Sequence, residues 1–461
     1  MPNDDKILAG DFVLTMDADN RVIPEGAVLV RGKRIAGVGS LAELRRDHPA
    51  IAVQHLPDRL LMPGLVNAHC HSGILRGTAE SLPVWEWLTL HINPMHRVLE
   101  APEAEAASFL CYAEAVLSGT TTLVDMWRFM AGSARAAQGI GNRLVAVPYV
   151  GAHPDYNYFE TLDDNERMLE TWHGKADGRI QVWVGLEHLF YADEAGQQRA
   201  IDLAKRHRTG FHTHASEAEI EIPEMRKRYG TRPMQALERL GFFEVGKVMI
   251  AHAVWLDDSE IELIARRGVS VAHNPVSNMK LASGIARVED MLKAGVAVGI
   301  GTDGEKENNN FDMFEEMKVA SLLGKLGRMN AAALDSWDVL RMGTITGARA
   351  IGLDAEIGSL EPGKKADLIA VRTDTPRMTP RFGGEYFNLH HNLVHAVRGG
   401  DVDLTMVDGR VLVEDGRLKT ADMKELIARV HAVAPGLFAR RAAYLAQNQH
   451  GTVQWTAPDR R

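Results

Sequence analysis

Histidines spaced one residue apart are the first sign of chemistry in this chain. His69 and His71 follow an apolar run, and His212 and His214 repeat the spacing further along. Side chains alternate along a strand, so the two imidazoles of each pair point the same way and can grip one ion together. The same alternation turns Cys70 away and assigns it to packing, although a thiolate is otherwise a good zinc ligand. One His-x-His pair alone is weak evidence for a metal site. The prediction therefore depends on whether the strands and helices bring the two pairs together.

Eight short apolar runs lie between residues 60 and 303, and each is followed by a helix-like stretch. Strands that alternate with helical patterns indicate a parallel sheet, and eight such units predict an α/β fold of the closed (β/α)8 TIM-barrel type. The predicted strands are Leu60–Val66, Thr121–Val124, Leu144–Val150, Ile180–Leu186, Gly210–His214, Val248–His252, Val269–Ala272 and Val296–Ile300.

The segments between these runs have the pattern of helices with one face on a sheet. Apolar residues recur three and four positions apart with charges between them. This pattern covers Ala104–Leu117, Gln197–Arg206, Ser259–Arg267 and Ile285–Ala294.

Short strands with turn signals between them occur at both ends of the chain. They predict one small β-sandwich, with residues 1–59 as its first part and residues 356–420 as its second part, around a barrel of residues 60–355. Asp408-Gly409 is a strong hairpin signal within the second part. Residues 421–461 are predicted as two closing helices, Ala421–Val433 and Pro435–Ala446, followed by a tail.

The amino-acid composition limits the kinds of molecule that the protein is expected to bind. The 461 residues carry 52 Lys and Arg against 61 Asp and Glu, a net charge of −9, and no long basic run. Nucleic acid and anionic membranes require a basic surface, so neither is an expected partner, and a small neutral or cationic ligand fits better. Two cysteines cannot build a disulfide framework, and no signal-peptide pattern is visible at the start, so the expected location is the cytoplasm.

The barrel prediction brings the polar residues to one place, because active sites of this fold lie at the carboxyl ends of the strands. The first predicted strand ends at His69 and His71, the fifth in the second histidine pair, the sixth at His252, and the eighth at Asp303. Imidazoles and a carboxylate with an open position suit Zn²⁺ or Fe²⁺ better than Mg²⁺. Such an ion lowers the pKa of water to about 7 and supplies hydroxide at neutral pH. The sequence therefore predicts a metal-dependent hydrolase.

Hydrolysis of an amino-heterocycle also needs a group that carries a proton to the leaving amine. Glu217, three residues beyond His214, is the best placed carboxylate for this role. The alternative is that Glu217 merely caps the following helix.

Several motifs taken together resemble the amidohydrolase superfamily. The chain is most similar to the branch that contains the methylthioadenosine and S-adenosylhomocysteine deaminases and the atrazine and triazine hydrolases, over about residues 7 to 420. The motifs are Pro63-Gly64-Leu65-Val66-Asn67-Ala68-His69-Cys70-His71, His214-Ala215-Ser216-Glu217, Ala251-His252, His273-Asn274-Pro275-Val276-Ser277-Asn278, Gly301-Thr302-Asp303-Gly304 and the segment from Gly358 to Leu368.

The resemblance implies a role for each matching residue. Glu217 becomes the proton shuttle, His252 the residue that orients or polarises the hydroxide, and His188 a substrate contact. Asp303 would also take a proton from the attacking water. The implied metal ligands are His69, His71, His214 and Asp303.

Binuclear members of that superfamily carry a carboxylated lysine at the end of strand four. This chain has Glu187-His188 there and no lysine. We therefore expect one divalent ion per subunit, with Zn²⁺ favoured over Fe²⁺.

Three departures from the nucleoside-acting relatives bear on the substrate. A glutamate that holds the ribose aligns with His96, and an arginine that grips the homocysteine carboxylate aligns with Pro148. Glu305-Lys306-Glu307 replaces small residues after the Asp-Gly pair, which makes Glu307 a candidate contact. These changes predict an amino- or alkylamino-substituted N-heterocycle that is neither a ribonucleoside nor a carboxylate. Trp85 or Trp87 would supply an aromatic wall, with helix packing as the alternative.

The expected function is hydrolytic deamination of a small heterocycle. The alternatives are dechlorination of a triazine-type ring, deamination of S-adenosylhomocysteine or methylthioadenosine, and an inert barrel that serves as a scaffold. Relatives suggest a homo-oligomer, a dimer or larger. A second group of histidines, His390, His391 and His395, is assigned to packing.

Overall fold

The computed structural model describes residues 5–82 and 84–448, apart from the side chain of Trp85. The chain begins with five strands and one short helix. The strands are β1 (Lys6–Leu14), β2 (Val22–Pro24), β3 (Gly26–Arg31), β4 (Arg34–Ser40) and β5 (Ala52–Pro63), and helix α1 (Leu41–Asp47) lies between the last two.

The centre of the chain is the (β/α)8 barrel, which confirms the fold prediction. Neighbouring strands are parallel in two runs, β6 to β9 and β10 to β14, and β14 lies beside β6. The fourth barrel strand is divided into β9 and β10 at Trp183. The strands are β6 (Leu65–Cys70), β7 (Thr120–Trp127), β8 (Arg143–Pro148), β9 (Ile180–Val182), β10 (Val184–His188), β11 (Gly210–Ala215), β12 (Lys247–His252), β13 (Ser270–His273) and β14 (Val298–Ile300).

Four further strands complete a second sheet, which both ends of the chain build. They are β15 (Leu368–Arg372), β16 (Val402–Val407), β17 (Arg410–Glu414) and β18 (Arg417–Leu418). The order is β18-β17-β16-β15-β5-β1-β3-β4, with β2 paired to β1. One apolar cluster joins residues of β3 and β4 to residues of β15 and β16, so the predicted sandwich is one continuous sheet folded over a shared core.

Helices cover the barrel and join it to the terminal sheet. No helix in the described part of the chain is both long and apolar enough to cross a membrane. The helices are α2 (Val84–Trp87), α3 (Asn93–Val98), α4 (Ala101–Leu117), α5 (Met130–Ile140), α6 (Leu162–Trp172), α7 (Glu194–His207), α8 (Glu221–Tyr229), α9 (Pro233–Leu240), α10 (Asp258–Arg267), α11 (Pro275–Lys280), α12 (Val288–Lys293), α13 (Met313–Arg328), α14 (Ser336–Met342), α15 (Ile345–Ala350), α16 (Leu389–His395) and α17 (Met423–Gln447).

The first predicted strand, Leu60–Val66, is in fact the junction of two strands. The amide of Gly64 donates to the carbonyl of Asp367 in the terminal sheet, and the amide of Leu65 donates to the carbonyl of Gly119 in the barrel. The chain passes from one sheet to the other at this point. An unbroken apolar run does not show which sheet each residue pairs with, and so the sequence concealed the break.

The two predicted closing helices are one helix, α17, with Pro435 inside it. Proline removes one backbone donor and disfavours a helix interior. Side-chain anchors offset this cost, since Arg440 donates to the carbonyl of Val98 and to the carboxylate of Glu103. Packing on α3 and α4 therefore overrides the local signal. The predicted tail, residues 449–461, lies outside the described residues.

The hairpin predicted at Asp408-Gly409 is present between β16 and β17. Both residues have positive φ, 48° and 75°, which is the backbone of a type I′ turn. The turn places the Asp408 carboxylate beneath the barrel, where it meets Arg143 at 2.9 Å. Arg143 also binds Asp367 at 2.9 Å, and all three side chains are buried.

We predict that replacing Arg143 with Met destabilises the protein strongly, because Asp367 would remain buried without its cation and Asp408 would keep only Lys365, at 3.9 Å. Breaking a buried pair in this way typically costs about 3–5 kcal/mol. The measurement is the midpoint of urea unfolding. Arg349→Met, at an exposed pair with Asp354, is the control and should leave the midpoint unchanged. An Arg143→Met midpoint equal to that of the control would contradict the assigned role.

Candidate active site

Buried strands deliver the predicted chemical residues to one end of the barrel. Every residue of β6, β11 and β14 is buried, as expected for parallel strands covered on both faces. His69 lies on β6, His71 just beyond it, and His214 on β11. Asp303 follows β14, and its amide donates to the carbonyl of His69, which ties the first and last strands together.

Three imidazole nitrogens and one carboxylate converge at this rim. The Nε2 atom of His214 lies 3.2 Å from the Nε2 atoms of both His69 and His71. The Oδ1 atom of Asp303 lies 3.5 Å from Nε2 of His69 and 3.3 Å from Nε2 of His71. The four side chains are buried. Two overlapping groups of donor atoms could each hold a metal ion: His69 with His71 and His214, and His69 with His252 and Asp303.

Hydrogen bonds on the far side of each ring determine which nitrogen carries the proton. Nδ1 of His71 lies 2.5 Å from the carbonyl of Met126, and Nδ1 of His214 lies 2.6 Å from the carbonyl of Glu187. A carbonyl only accepts, so both Nδ1 atoms are donors and both Nε2 atoms present lone pairs.

The third ring is oriented through another histidine. Nδ1 of His212 donates to the carbonyl of Met249 at 2.9 Å, which leaves Nε2 of His212 as an acceptor. Nδ1 of His69 lies 2.8 Å from that acceptor and donates to it. All three Nε2 lone pairs therefore face the shared position. The second histidine of the His212-x-His214 pair reaches the rim, and the first supports it from behind.

The charge states agree with this donor set. Burial lowers the pKa of His69, His71 and His214, so these imidazoles are neutral as metal ligands must be. Burial opposes ionisation of Asp303, but its interactions with His69, His252 and His71 hold its pKa well below the usual range. Neutral imidazoles with one carboxylate match the chemistry of Zn²⁺. Cys70 packs in the apolar core.

His252 and Glu217 lie beside the four donors. Nε2 of His252 is 3.7 Å from Oδ2 of Asp303 and 3.8 Å from Oε2 of Glu217. Nδ1 of His252 lies 2.9 Å from the side-chain oxygen of Asn278 and donates to it. Ser277 donates to Asp303 at 2.7 Å. Burial raises the pKa of Glu217 to about 7, so its carboxyl group can both give and take a proton near neutral pH.

A small cavity opens onto these residues. Helix α2 covers it with Val84 and Trp87. Described residues that line it besides α2 are His71, Leu88, Tyr149, Glu187, His214, Glu217, His252, Leu281, Asp303 and Glu307. Tyr191 and Glu221 continue the wall in an adjoining cavity, together with His188.

Some of the predicted substrate contacts line a cavity and others do not. Trp87 and Glu307 line the main cavity and His188 lines the adjoining one, where its Nε2 atom lies 3.1 Å from Glu221. His96 does not line the cavity in the described structure. Its ring stacks behind Tyr149, with centroids 5.0 Å apart. His96 therefore shapes the wall through Tyr149 and presents no acceptor to a ribose. The side chain of Trp85 lies outside the described part of the chain.

Sequence reasoning missed two residues that line the cavity, Glu187 and Tyr149. Glu187 lines it, and its Oε1 atom accepts a hydrogen bond from the hydroxyl of Tyr149 at 3.1 Å. Burial raises the pKa of Glu187 to about 7. Both residues end barrel strands, so the rule that located the histidines would also have found them.

The second histidine group lies elsewhere in the fold. His390 stacks on Trp337, with ring centroids 4.7 Å apart, and on Phe387. His391 hydrogen-bonds Ser336. These contacts are packing contacts between α14 and α16, as the sequence analysis expected.

Comparisons with known proteins agree with the geometry. The model of the amidohydrolase family matches residues 60–412. The chain belongs to the amidohydrolase family. A bacterial imidazolonepropionase-like composite domain also matches residues 26–50.

Relatives span nearly the whole of this amidohydrolase. A protein named 5-methylthioadenosine/S-adenosylhomocysteine deaminase, from Caldanaerobacter subterraneus subsp. tengcongensis, is 39% identical over 92% of this chain and 96% of its own. A 5'-deoxyadenosine deaminase from Methanosarcina mazei is 37% identical over 95% and 99%. The amidohydrolase is thus an enzyme that hydrolyses carbon–nitrogen bonds.

Solved structures share its architecture. An adenosine deaminase from Xanthomonas campestris with bound zinc is 30% identical, covers 94% of this chain and 99% of its own, and superposes with a TM-score of 0.87. An atrazine chlorohydrolase from Arthrobacter aurescens, complexed with zinc, reaches a TM-score of 0.83 at 22% identity over 93% and 99%. At that identity the likeness concerns the fold alone.

We predict that His212→Phe lowers metal affinity about 10- to 100-fold, because His69 loses the acceptor that holds its Nδ1 proton and ring orientation. Zinc retained during competition with a chromogenic chelator measures the effect. His391→Phe removes a histidine outside the site and should keep the affinity of the unmodified protein. Equal zinc affinity in the two variants would show that His212 does not orient a ligand.

Proposed function

We propose that this amidohydrolase is a metal-dependent deaminase that replaces an amino or alkylamino group of an N-heterocycle with a hydroxyl. The observation that carries the proposal is the convergence of three Nε2 lone pairs and Asp303 beside Glu217. We assign His69, His71, His214 and Asp303 as the ligands of one divalent ion per subunit, with Zn²⁺ favoured over Fe²⁺. A divalent ion bound here supplies hydroxide at neutral pH by lowering the pKa of water to about 7.

We assign the proton transfers to residues in and around the proposed metal site. The imidazole of His252 lies between the carboxylates of Asp303 and Glu217, within 3.8 Å of both. Burial disfavours its charge, but those two carboxylates raise its pKa, so His252 can donate a hydrogen bond and orient the attacking water. Asp303 accepts a proton from that water.

Glu217 favours deamination over dechlorination. An amine must be protonated before it leaves, whereas chloride leaves as the anion. A carboxyl group whose pKa is about 7 is suited to carry a proton to the ring nitrogen and to the leaving amine. The alternative role of Glu217 as a helix cap has less support, because residues 216–218 donate their amides to Glu221 instead.

Nucleosides stay within the proposed substrate class. Sequence reasoning predicted a substrate other than a ribonucleoside, but relatives that are 37–39% identical over almost the whole chain are named for adenosine-type compounds. The exclusion is therefore not supported. We retain a small amino-substituted heterocycle, free or as a nucleoside. We also retain a homo-oligomer, from the family resemblance, and the cytoplasm, from the low cysteine count.

We predict that removing metal with a chelator abolishes ammonia release and that one zinc ion per chain restores it, because without the ion no hydroxide forms at neutral pH. The screen covers adenosine, 5'-deoxyadenosine, S-adenosylhomocysteine, aminotriazines and pterins. Ammonia release that continues in metal-free protein would reject the mechanism, and a reconstituted protein inactive on every amino-heterocycle would reject the function.

A second prediction concerns the proton carrier. Glu217→Gln should keep its zinc but lose turnover by at least about a hundredfold, because the amide cannot transfer the proton. The control is Glu219→Gln, two residues along on the exposed surface, which should turn over normally. Zinc content and kcat are measured on both. Near-normal kcat in the Glu217 variant would return this residue to a capping role.

A further inference from the structure

Glu187 presents an acceptor to the cavity that nothing in the described chain satisfies. Tyr149 donates its hydroxyl to Oε1, while Oε2 is buried and has no hydrogen-bond partner among the described residues. The side chain is only 5% exposed and lines both cavities. A buried acceptor is seldom left unpaired, so a donor from a bound molecule is its natural partner.

Glu307 supplies a second acceptor on the same wall. Lys306 contacts both carboxylate oxygens of Glu307, at 2.9 and 3.2 Å. Gly304 makes this arrangement possible, because a Cβ atom there would lie 2.1 Å from the Glu307 carboxylate. Each carboxylate oxygen has two lone pairs, so the contact with Lys306 leaves acceptor capacity for a ligand in the cavity.

No arginine or lysine is among the described residues that line either cavity. The nearby ammonium of Lys306 is buried, bound by Glu307, and lies 5.9 and 5.8 Å from the ring centroids of Trp87 and Trp127. The cavity therefore offers carboxyl oxygens and aromatic faces to a ligand. Apart from the proposed metal position, the described lining offers no lysine or arginine that could pair with a carboxylate or phosphate.

We propose that Glu187 and Glu307 determine specificity by accepting hydrogen bonds from N–H groups of the substrate other than the amine that leaves. The substrate class is a neutral or protonated heterocycle with at least one further amino group or ring N–H and no anionic substituent. This inference rests on the proposed deaminase function and narrows its substrate.

The test compares ligands that differ by N–H donors. The probes are 2,6-diaminopurine against adenine, and triamino-1,3,5-triazine against 2-amino-1,3,5-triazine. Binding is measured by calorimetry to zinc-loaded Glu217→Gln protein, in which turnover is slow, and ammonia release is measured with the unmodified enzyme. One hydrogen bond to a carboxylate predicts about 10- to 100-fold tighter binding of the donor-rich member of each pair.

Variants of the two carboxyl groups sharpen the test. In Glu187→Gln, Tyr149 holds the amide oxygen and the amide NH2 turns to the cavity, so the preference should fall at least tenfold or reverse. Glu307→Gln should also weaken the preference for the donor-rich ligand, because Lys306 would hold the amide oxygen and leave the amide NH2 facing the cavity. Glu305→Gln is the matched control, since Glu305 is buried in the same segment but bonds the amide of Leu75 and does not line the cavity. Zinc content and circular dichroism establish that each variant is folded.

The outcomes separate the inference from the function. Equal affinities within each pair, no binding of any probe, or a preference that survives Glu187→Gln and Glu307→Gln would overturn the inference. Ammonia release without a donor preference would do the same while leaving the deaminase function intact. A donor preference that depends on both residues, without ammonia from any heterocycle, would support the inference and reject the function.

Discussion

The site depends on one electrostatic requirement: three imidazoles must be neutral and must direct their lone pairs at a single point beside a carboxylate. Burial makes the rings neutral, and the carbonyls of Met126 and Glu187 make Nδ1 the protonated nitrogen. His212 does the same for His69. The hydrogen bonds behind the three rings therefore decide whether the proposed ligands can bind an ion.

Closure of the barrel brings together the residues that form these hydrogen bonds. His69 and Asp303 are 234 positions apart in the chain, yet the amide of one donates to the carbonyl of the other because β14 lies beside β6. The terminal sheet supports the opposite end through Arg143, which binds aspartates from two of its segments. One end of the barrel thus carries the chemical residues and the opposite end contributes to stability, as in TIM barrels generally.

The cavity is acidic, and this sets it apart from a site built to hold an anionic ligand. Glu187, Glu217, Asp303 and Glu307 all line it, and no lysine or arginine among the described residues does so. Each carboxyl group has a different partner: Tyr149, His252, the ligand histidines or Lys306. Their surroundings lower the pKa of Asp303 and raise those of Glu187 and Glu217 to about 7, so similar groups can perform different tasks.

Much of this protein was readable from the sequence, because strand periodicity and paired histidines are local patterns. They predicted the barrel, the rim and the residues that meet there. Local patterns failed where distant partners decide: Pro435 stays inside a helix because α3 and α4 hold it, and His96 turns behind Tyr149 because the ring finds an aromatic stack. Only the tertiary structure showed that His212 hydrogen-bonds His69 from behind, and that Oε2 of Glu187 has no hydrogen-bond partner among the described residues. Hydrogen bonds between segments far apart in the chain leave no trace in local spacing, so the folded protein alone determines them.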